Sequence, residues 1–95
     1  MFVVLPTSWQ VDEGKRIDKL RAIGFDPMQF ARGLGQRRLV QVARDLGITA
    51  LDATPILAAE RDHDALFLAD GGHLSVRGNA VLGKWLADEI DRGLK

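Results

Sequence analysis

Leu39-Val40-Gln41-Val42-Ala43-Arg44-Asp45-Leu46-Gly47-Ile48-Thr49-Ala50-Leu51-Asp52 holds the end of a helix, its stop and the strand that follows. Leu39, Val42, Ala43 and Leu46 fall on one helical stripe. Gly47 ends that helix, because glycine enters the left-handed conformation at little cost. Ile48-Thr49-Ala50-Leu51 then reads as a short strand, with Asp52 just past its tip. Far upstream, Phe2-Val3-Val4-Leu5 is apolar at both alternating positions and is closed by Pro6. Such a run suits a strand covered on both faces in a parallel sheet. Strand, helical crossover and strand is the βαβ pattern, so the expectation is α/β with a short parallel sheet. Two strands are too few for a stable sheet by themselves. Because a domain rarely buries its very first residues, residues 1–95 read as one domain that is the C-terminal portion of a larger one.

The remaining elements follow from local signals. Asp12 is placed to cap a helix running through Ile17 and Leu20 to about Gly24. Asp26-Pro27 reads as a cap followed by proline at the first helical position. Gly33 and Gly35 divide the segment from Pro27 to Leu46 into two helices. Thr54-Pro55 opens a short helix through Ile56 and Leu57. Glu60 to Asp64 is a charged loop, and Ala65 to Leu68 an apolar stretch that fits either state. Ser75 caps a last helix whose stripe is Leu82, Trp85, Leu86 and Ile90.

Composition narrows the function classes. Lys plus Arg and Asp plus Glu balance at 13 each, which argues against nucleic-acid binding, since that needs a concentrated basic face. Arg37 and Arg38 are the densest basic spot and read as a solvated helix start. The absence of cysteine removes a disulfide scaffold, a thiolate nucleophile and a zinc–cysteine site. Phe2 to Leu5 is far too short for a signal-peptide core or a membrane span, so the chain reads as soluble with no signal peptide. Its compartment is left open.

The chemistry-bearing segment is Leu66-Phe67-Leu68-Ala69-Asp70-Gly71-Gly72-His73-Leu74-Ser75-Val76-Arg77-Gly78. Two glycines between an acid and a histidine allow a tight turn that folds the carboxylate back onto the imidazole. An aspartate accepting from Nδ1–H fixes the histidine tautomer and leaves Nε2 free to take a proton from a hydroxyl. Spacing alone is weak, because Asp-x-x-His is common by chance. The plainer reading of His73 is a surface histidine bonded to Asp70 for local order. Glu60-x-x-His63 satisfies a looser version of the same pattern and reads as loop chemistry.

An apolar run, Asp-x-x-His-Leu, a polar cap and a glycine opening an amphipathic C-terminal helix together resemble the last block of the SGNH (GDSL-type) hydrolase family. The resemblance places Asp70 on the family's triad acid, His73 on its general base and Gly78 on the glycine that begins the closing helix. It implies the C-terminal part of a flavodoxin-like three-layer fold and a serine esterase or acyltransferase acting on a small acyl ester, such as an acetylated carbohydrate. The departures matter equally. The family's Gly-Asp-Ser nucleophile block is missing, as are the glycine and asparagine blocks that complete its oxyanion hole. Ser75 reads as a helix cap, Ser8 lies in a loop with no family precedent as nucleophile, and Asn79 falls inside the closing helix. Without oxyanion donors an acyl-transfer site loses on the order of a hundredfold per donor, so the isolated chain is expected to be inactive.

Trp9 follows the first strand, at the sheet edge where α/β proteins bind ligands. It reads either as a wall of a substrate pocket or as a half-buried anchoring aromatic. Asp62, His63, Asp64, Asp70 and His73 lack a recognised ligand spacing, and no metal or cofactor is expected. Gly33-x-Gly35 lacks the third glycine of a dinucleotide fingerprint. Two functions stand: a portion of a serine esterase, and a non-catalytic truncated or degenerate module that pairs with another chain. In either case self-association, or pairing with the part that carries the nucleophile, is expected to cover the open sheet.

Overall fold

A computed structural model of the protein describes residues 1–93. Strands β1 (Phe2–Val4) and β2 (Ala50–Asp52) run parallel, with Phe2 opposite Ala50, Val3 opposite Leu51 and Val4 opposite Asp52. The Phe2 N–H donates to Thr49 O (2.8 Å) and the Ala53 N–H to Val4 O (3.0 Å), which pins the register at both ends. The second strand begins two residues later than the 48–51 expected from its apolar run. Ile48 is used elsewhere: its N–H turns back to Ala43 O (2.8 Å) while Gly47, at φ +73°, donates to Arg44 O (3.0 Å). That pair of bonds satisfies the last carbonyls of the preceding helix, so pairing with β1 starts only beyond it.

Helix α1 (Ser8–Val11) is a single turn that the sequence reading placed in a loop. Asp12 then caps α2 (Glu13–Ala22), its Oδ1 accepting from the Lys15 N–H at 3.0 Å. Gly24 closes α2 at φ +85°, as its position suggested. The Asp26-Pro27 start yields only a 3-10 turn (Pro27–Gln29), and α3 (Leu34–Asp45) follows Gly33. Asp52 does more than end a strand: its Oδ1 accepts from the Thr54 N–H (2.9 Å) at the start of α4 (Thr54–Ala58). A 3-10 turn (Asp64–Leu66) precedes the long closing helix α5 (Val76–Asp91).

The core sits between α1, α4, α5 and the 64–67 segment. Val11, Ala53, Leu57, Leu66 and Phe67 are its buried centre, with Val3, Leu74, Leu82 and Trp85 packed around them. Fully burying Val11, Leu57 and Leu66 contributes roughly 1.5–3 kcal/mol each relative to exposure. Along the α5 stripe, Leu82 and Trp85 join this core, Leu86 is half-buried, and Ile90 is exposed.

The expectation of a first strand covered on both faces is not met. Phe2 and Leu5 are exposed, and so are Leu39, Val42 and Leu46 of the α3 stripe, where Ala43 alone is buried. Helix α3 leans on β2 and only lightly on β1. Between them runs an apolar groove of about 470 Å³ lined by β1, α3 and Ile48. The stripe is real in sequence, but among the described residues nothing packs on most of it.

Candidate active site

Asp70 and His73 lie on one closed turn. Phe67 and Leu74 form an isolated antiparallel bridge, and inside it the Leu68 N–H donates to His73 O (2.8 Å). The Gly71 N–H donates to Leu68 O (2.9 Å), completing the bend. Gly71 sits at φ +71°, in the region that penalises any side chain, whereas Gly72 has no such φ and room for a Cβ. Of the two glycines in the pair, Gly71 is therefore the one the geometry requires.

The carboxylate of Asp70 faces inward across this bend. Its Oδ1 accepts from the Gly72 N–H (2.9 Å) and the His73 N–H (3.1 Å), and its Oδ2 accepts from His73 Nδ1 at 2.6 Å. These bonds, the one from the imidazole foremost, hold the Asp70 carboxyl below the ordinary carboxylate range. Three donors from one loop fix the carboxylate, and the carboxylate fixes the ring. A neutral ring that donates through Nδ1 has its lone pair on Nε2. The His73 side chain is 77% exposed, and its Nε2 has no partner among the described residues. A proton acceptor thus faces outward.

The turn is clamped to the closing helix. The Ser75 N–H donates to Leu66 O (2.9 Å), the Ser75 hydroxyl donates to Ala65 O, and its oxygen accepts from the Gly78 N–H (3.1 Å). Ser75 is thereby committed to capping α5, as the sequence suggested. Gly78 lets the helix approach so closely that a Cβ there would lie 2.1 Å from Leu66 O. Asn79 sits in α5 with its amide donating to Leu74 O (3.5 Å).

Ser8, at the start of α1, touches the same turn from the other side. Its N–H donates to Gly71 O (2.8 Å), and its Oγ would lie 2.7 Å from a Cβ on Gly71. Through its backbone N–H Ser8 seats the turn on α1, and among the described residues its hydroxyl makes no hydrogen bond to His73. Next to it, Trp9 is half-buried and lines a cleft of about 270 Å³ with Arg16, Leu20, Phe30 and Gln36. Neither Asp70 nor His73 lines that cleft.

His63 has a role the sequence reading missed. Its Nδ1 faces Asp12 Oδ2 (3.0 Å) and its Nε2 faces Ala58 O (2.9 Å). Both partners accept, so a ring protonated at both nitrogens donates to each, and the geometry favours the imidazolium form. The bond to Asp12 raises the His63 pKa, and that carboxylate, bonded first by the Lys15 N–H and then by His63, is lowered. Asp12 thus ties α2 to the loop after α4. No local pattern could have found this, because 51 residues separate the two side chains. Glu60 pairs instead with Arg77 across 3.8 Å. Among the described residues, no group of three or more histidine or acidic side chains is arranged to hold a metal ion.

No family model, no curated protein and no solved structure matches this chain. Among the described residues its fold is α/β, with five helices and a short two-stranded parallel sheet. No helix among the described residues is long and apolar enough to cross a membrane.

Proposed function

We propose that this chain supplies the acid–base pair of an SGNH-type serine esterase or acyltransferase. The observation that supports this reading is the 2.6 Å bond from His73 Nδ1 to Asp70, on a turn that leaves Nε2 open to solvent. In such a site His73 takes the proton of a serine hydroxyl as it attacks the ester carbonyl, then returns it to the leaving alcohol. Asp70 holds the tautomer and stabilises the imidazolium formed between those two steps. The substrate class is a small acyl ester, an acetylated carbohydrate among them.

Ser75 is spent on capping, and Ser8 makes no hydrogen bond to His73 among the described residues, so in this reading neither serves as the nucleophile. The attacking serine and the oxyanion donors must come from polypeptide outside these residues, continuous with them or paired with them. The same two facts favour a second reading, a non-catalytic module of this architecture that pairs with another chain.

Aryl acetate hydrolysis separates the two. A protein that joins these residues to a Gly-Asp-Ser block is expected to turn over, and His73→Ala is expected to lower its kcat at least about a hundredfold. Full activity in His73→Ala rejects the esterase reading. The chain alone offers a direct check as well. Its His73 should populate the Nδ1–H tautomer by 15N NMR, and Asp70→Ala should release that preference.

A further inference from the structure

We propose that the cleft walled by α1, α2 and the start of α3 binds a single neutral sugar ring, with Trp9 as its apolar wall and the Gln36 carboxamide as its hydrogen-bonding group. The inference needs neither the acid–base pair nor a nucleophile, so it stands apart from the esterase reading. It begins with Gln36. Only 5% of this residue is exposed, yet its side chain makes no hydrogen bond among the described residues. The other two glutamines use theirs: Gln10 Oε1 accepts from the Thr7 N–H (2.8 Å), and Gln41 Nε2 donates to Asp45 Oδ1 (2.8 Å). A carboxamide carries two donors and an acceptor, and polar groups this deep are normally paired. The sealed side-chain polar atoms without a partner are the hydroxyls of Thr7 and Thr54. The Gln36 amide is not among them, so the little of it that stays accessible opens into the cleft it lines.

The walls are held in place. Arg16 donates from Nε and Nη2 to the two carboxylate oxygens of Glu13 (2.9 and 2.7 Å) and from Nη1 to Phe30 O (3.0 Å). That ties α2 to the 3-10 turn before α3, and Phe25 braces the Phe30 ring edge-on, with centroids 5.2 Å apart. Every lining residue lies between positions 9 and 36, so the cleft is the product of one continuous stretch. Trp9 is half-buried there. Its indole N–H is neither sealed off nor hydrogen-bonded among the described residues, which leaves a second free donor beside the carboxamide.

Charge, size and polarity together select the ligand. Arg16 is the one ionisable residue among those that line the cleft, and Glu13 holds it through two bonds, so no unspent cation is there for a phosphate or carboxylate. At about 270 Å³ the space lies just below the range of drug-sized sites and suits one ring rather than a chain. A pure hydrocarbon would cover the Gln36 amide without pairing it, and an unpaired buried polar group is destabilising. A pyranose meets both demands. Its C–H face lies against an aromatic wall, and its hydroxyls donate and accept, as a carboxamide does.

Titration of the 15N-labelled chain by 1H–15N NMR tests this, with D-glucose, D-galactose, D-mannose and N-acetyl-D-glucosamine as probes. At least one of them is expected to shift the Trp9 indole and Gln36 carboxamide signals saturably, with a Kd of about 0.1–10 mM, while the Trp85 indole signal stays put. Gln36→Leu is expected to weaken that sugar at least about tenfold. Because it trades an unpaired amide for hydrocarbon, it should also raise the Tm of the free chain by about 4 °C or more. A glutamine kept only for packing would not give that pair of results. Absence of any shift with all of these sugars at about 100 mM overturns the proposal. Saturation by adenosine or D-glucuronate but by none of the neutral sugars overturns it as well. So does undiminished sugar binding in Gln36→Leu, or a fall in its Tm, which would mean that the amide already has a partner.

Discussion

Gly78 and Gly83 stand five positions apart on α5, and the same substitution at each should move stability in opposite directions. A Cβ on Gly78 would lie 2.1 Å from Leu66 O and 3.0 Å from Leu66 C, about 1 Å short of even a tight approach. The obstacle is backbone, so no side-chain rotation relieves it. Gly78→Ala must push α5 away from the 66–75 segment. The shift pulls on the Ser75 N–H bond to Leu66 O (2.9 Å) and on the Ser75 cap of the helix. Overpacking at about 1–3 kcal/mol, a strained hydrogen bond at about 1 and a weakened cap at about 1 sum to roughly 3–5 kcal/mol. Domains of this size have only about 5–14 kcal/mol in total, so Tm should fall by roughly 15–25 °C. Gly83, by contrast, has nothing within 4 Å of its would-be Cβ. Gly83→Ala removes glycine's entropic cost in a helix and should stabilise by about 0.5–1 kcal/mol. Thermal and urea melts of the two variants beside the parent decide the matter. If Gly78→Ala melts within about 3 °C of the parent, the close approach of α5 to Leu66 is wrong, and with it the clamping of the Asp70–His73 turn.

Other predictions follow from the polar contacts. The His63–Asp12 pair should give the protein a stability plateau bounded on both sides. The raised His63 pKa means that its share is full below about pH 6.5 and is lost as pH rises through the folded value; the lowered Asp12 pKa means that its share is full above about pH 3.8 and is lost on further acidification. His63→Ala should cost about 1–2 kcal/mol at pH 5.5, since both side chains are partly solvated, and should flatten the alkaline limb in urea midpoints measured against pH. A variant that keeps that limb refutes the assignment. Asp70 should titrate by carboxyl 13C NMR below an ordinary aspartate, and its contribution to stability should appear above the unfolded value near 3.8 and vanish as pH falls through the folded one. An unshifted titration denies the three bonds it accepts. Gly71→Ala forces alanine to φ +71° and displaces Ser8 Oγ, so a loss of about 1–2 kcal/mol is expected in denaturant melts, with Gly72→Ala much milder.

Local signals were readable from the sequence where a side chain serves its own neighbourhood. The caps of Asp12, Asp26 and Ser75 and the helix-ending turns of Gly24 and Gly47 each span a few residues, and each is what the residue type at that position suggests. The Asp70–His73 pair was legible for the same reason, its span being a single turn. Three things were not. Helix α1 is one turn long, too short for any periodicity to register. The second strand was misplaced because Ile48, apolar and β-branched, is drawn into the cap of α3 by its bond to Ala43 O. His63 was read as a loop residue because its partner Asp12 is brought near only by tertiary packing. The apolar stripe of α3 was found correctly, and yet it does not show which side of it another surface would cover.

The Phe67–Leu74 bridge closes a loop around both Asp70 and His73. A carboxylate and an imidazole carried on separate elements keep their distance only while those elements hold still. With both riding on one tied ring of backbone, the separation of Asp70 and His73 is set by that ring and not by how the surrounding helices pack.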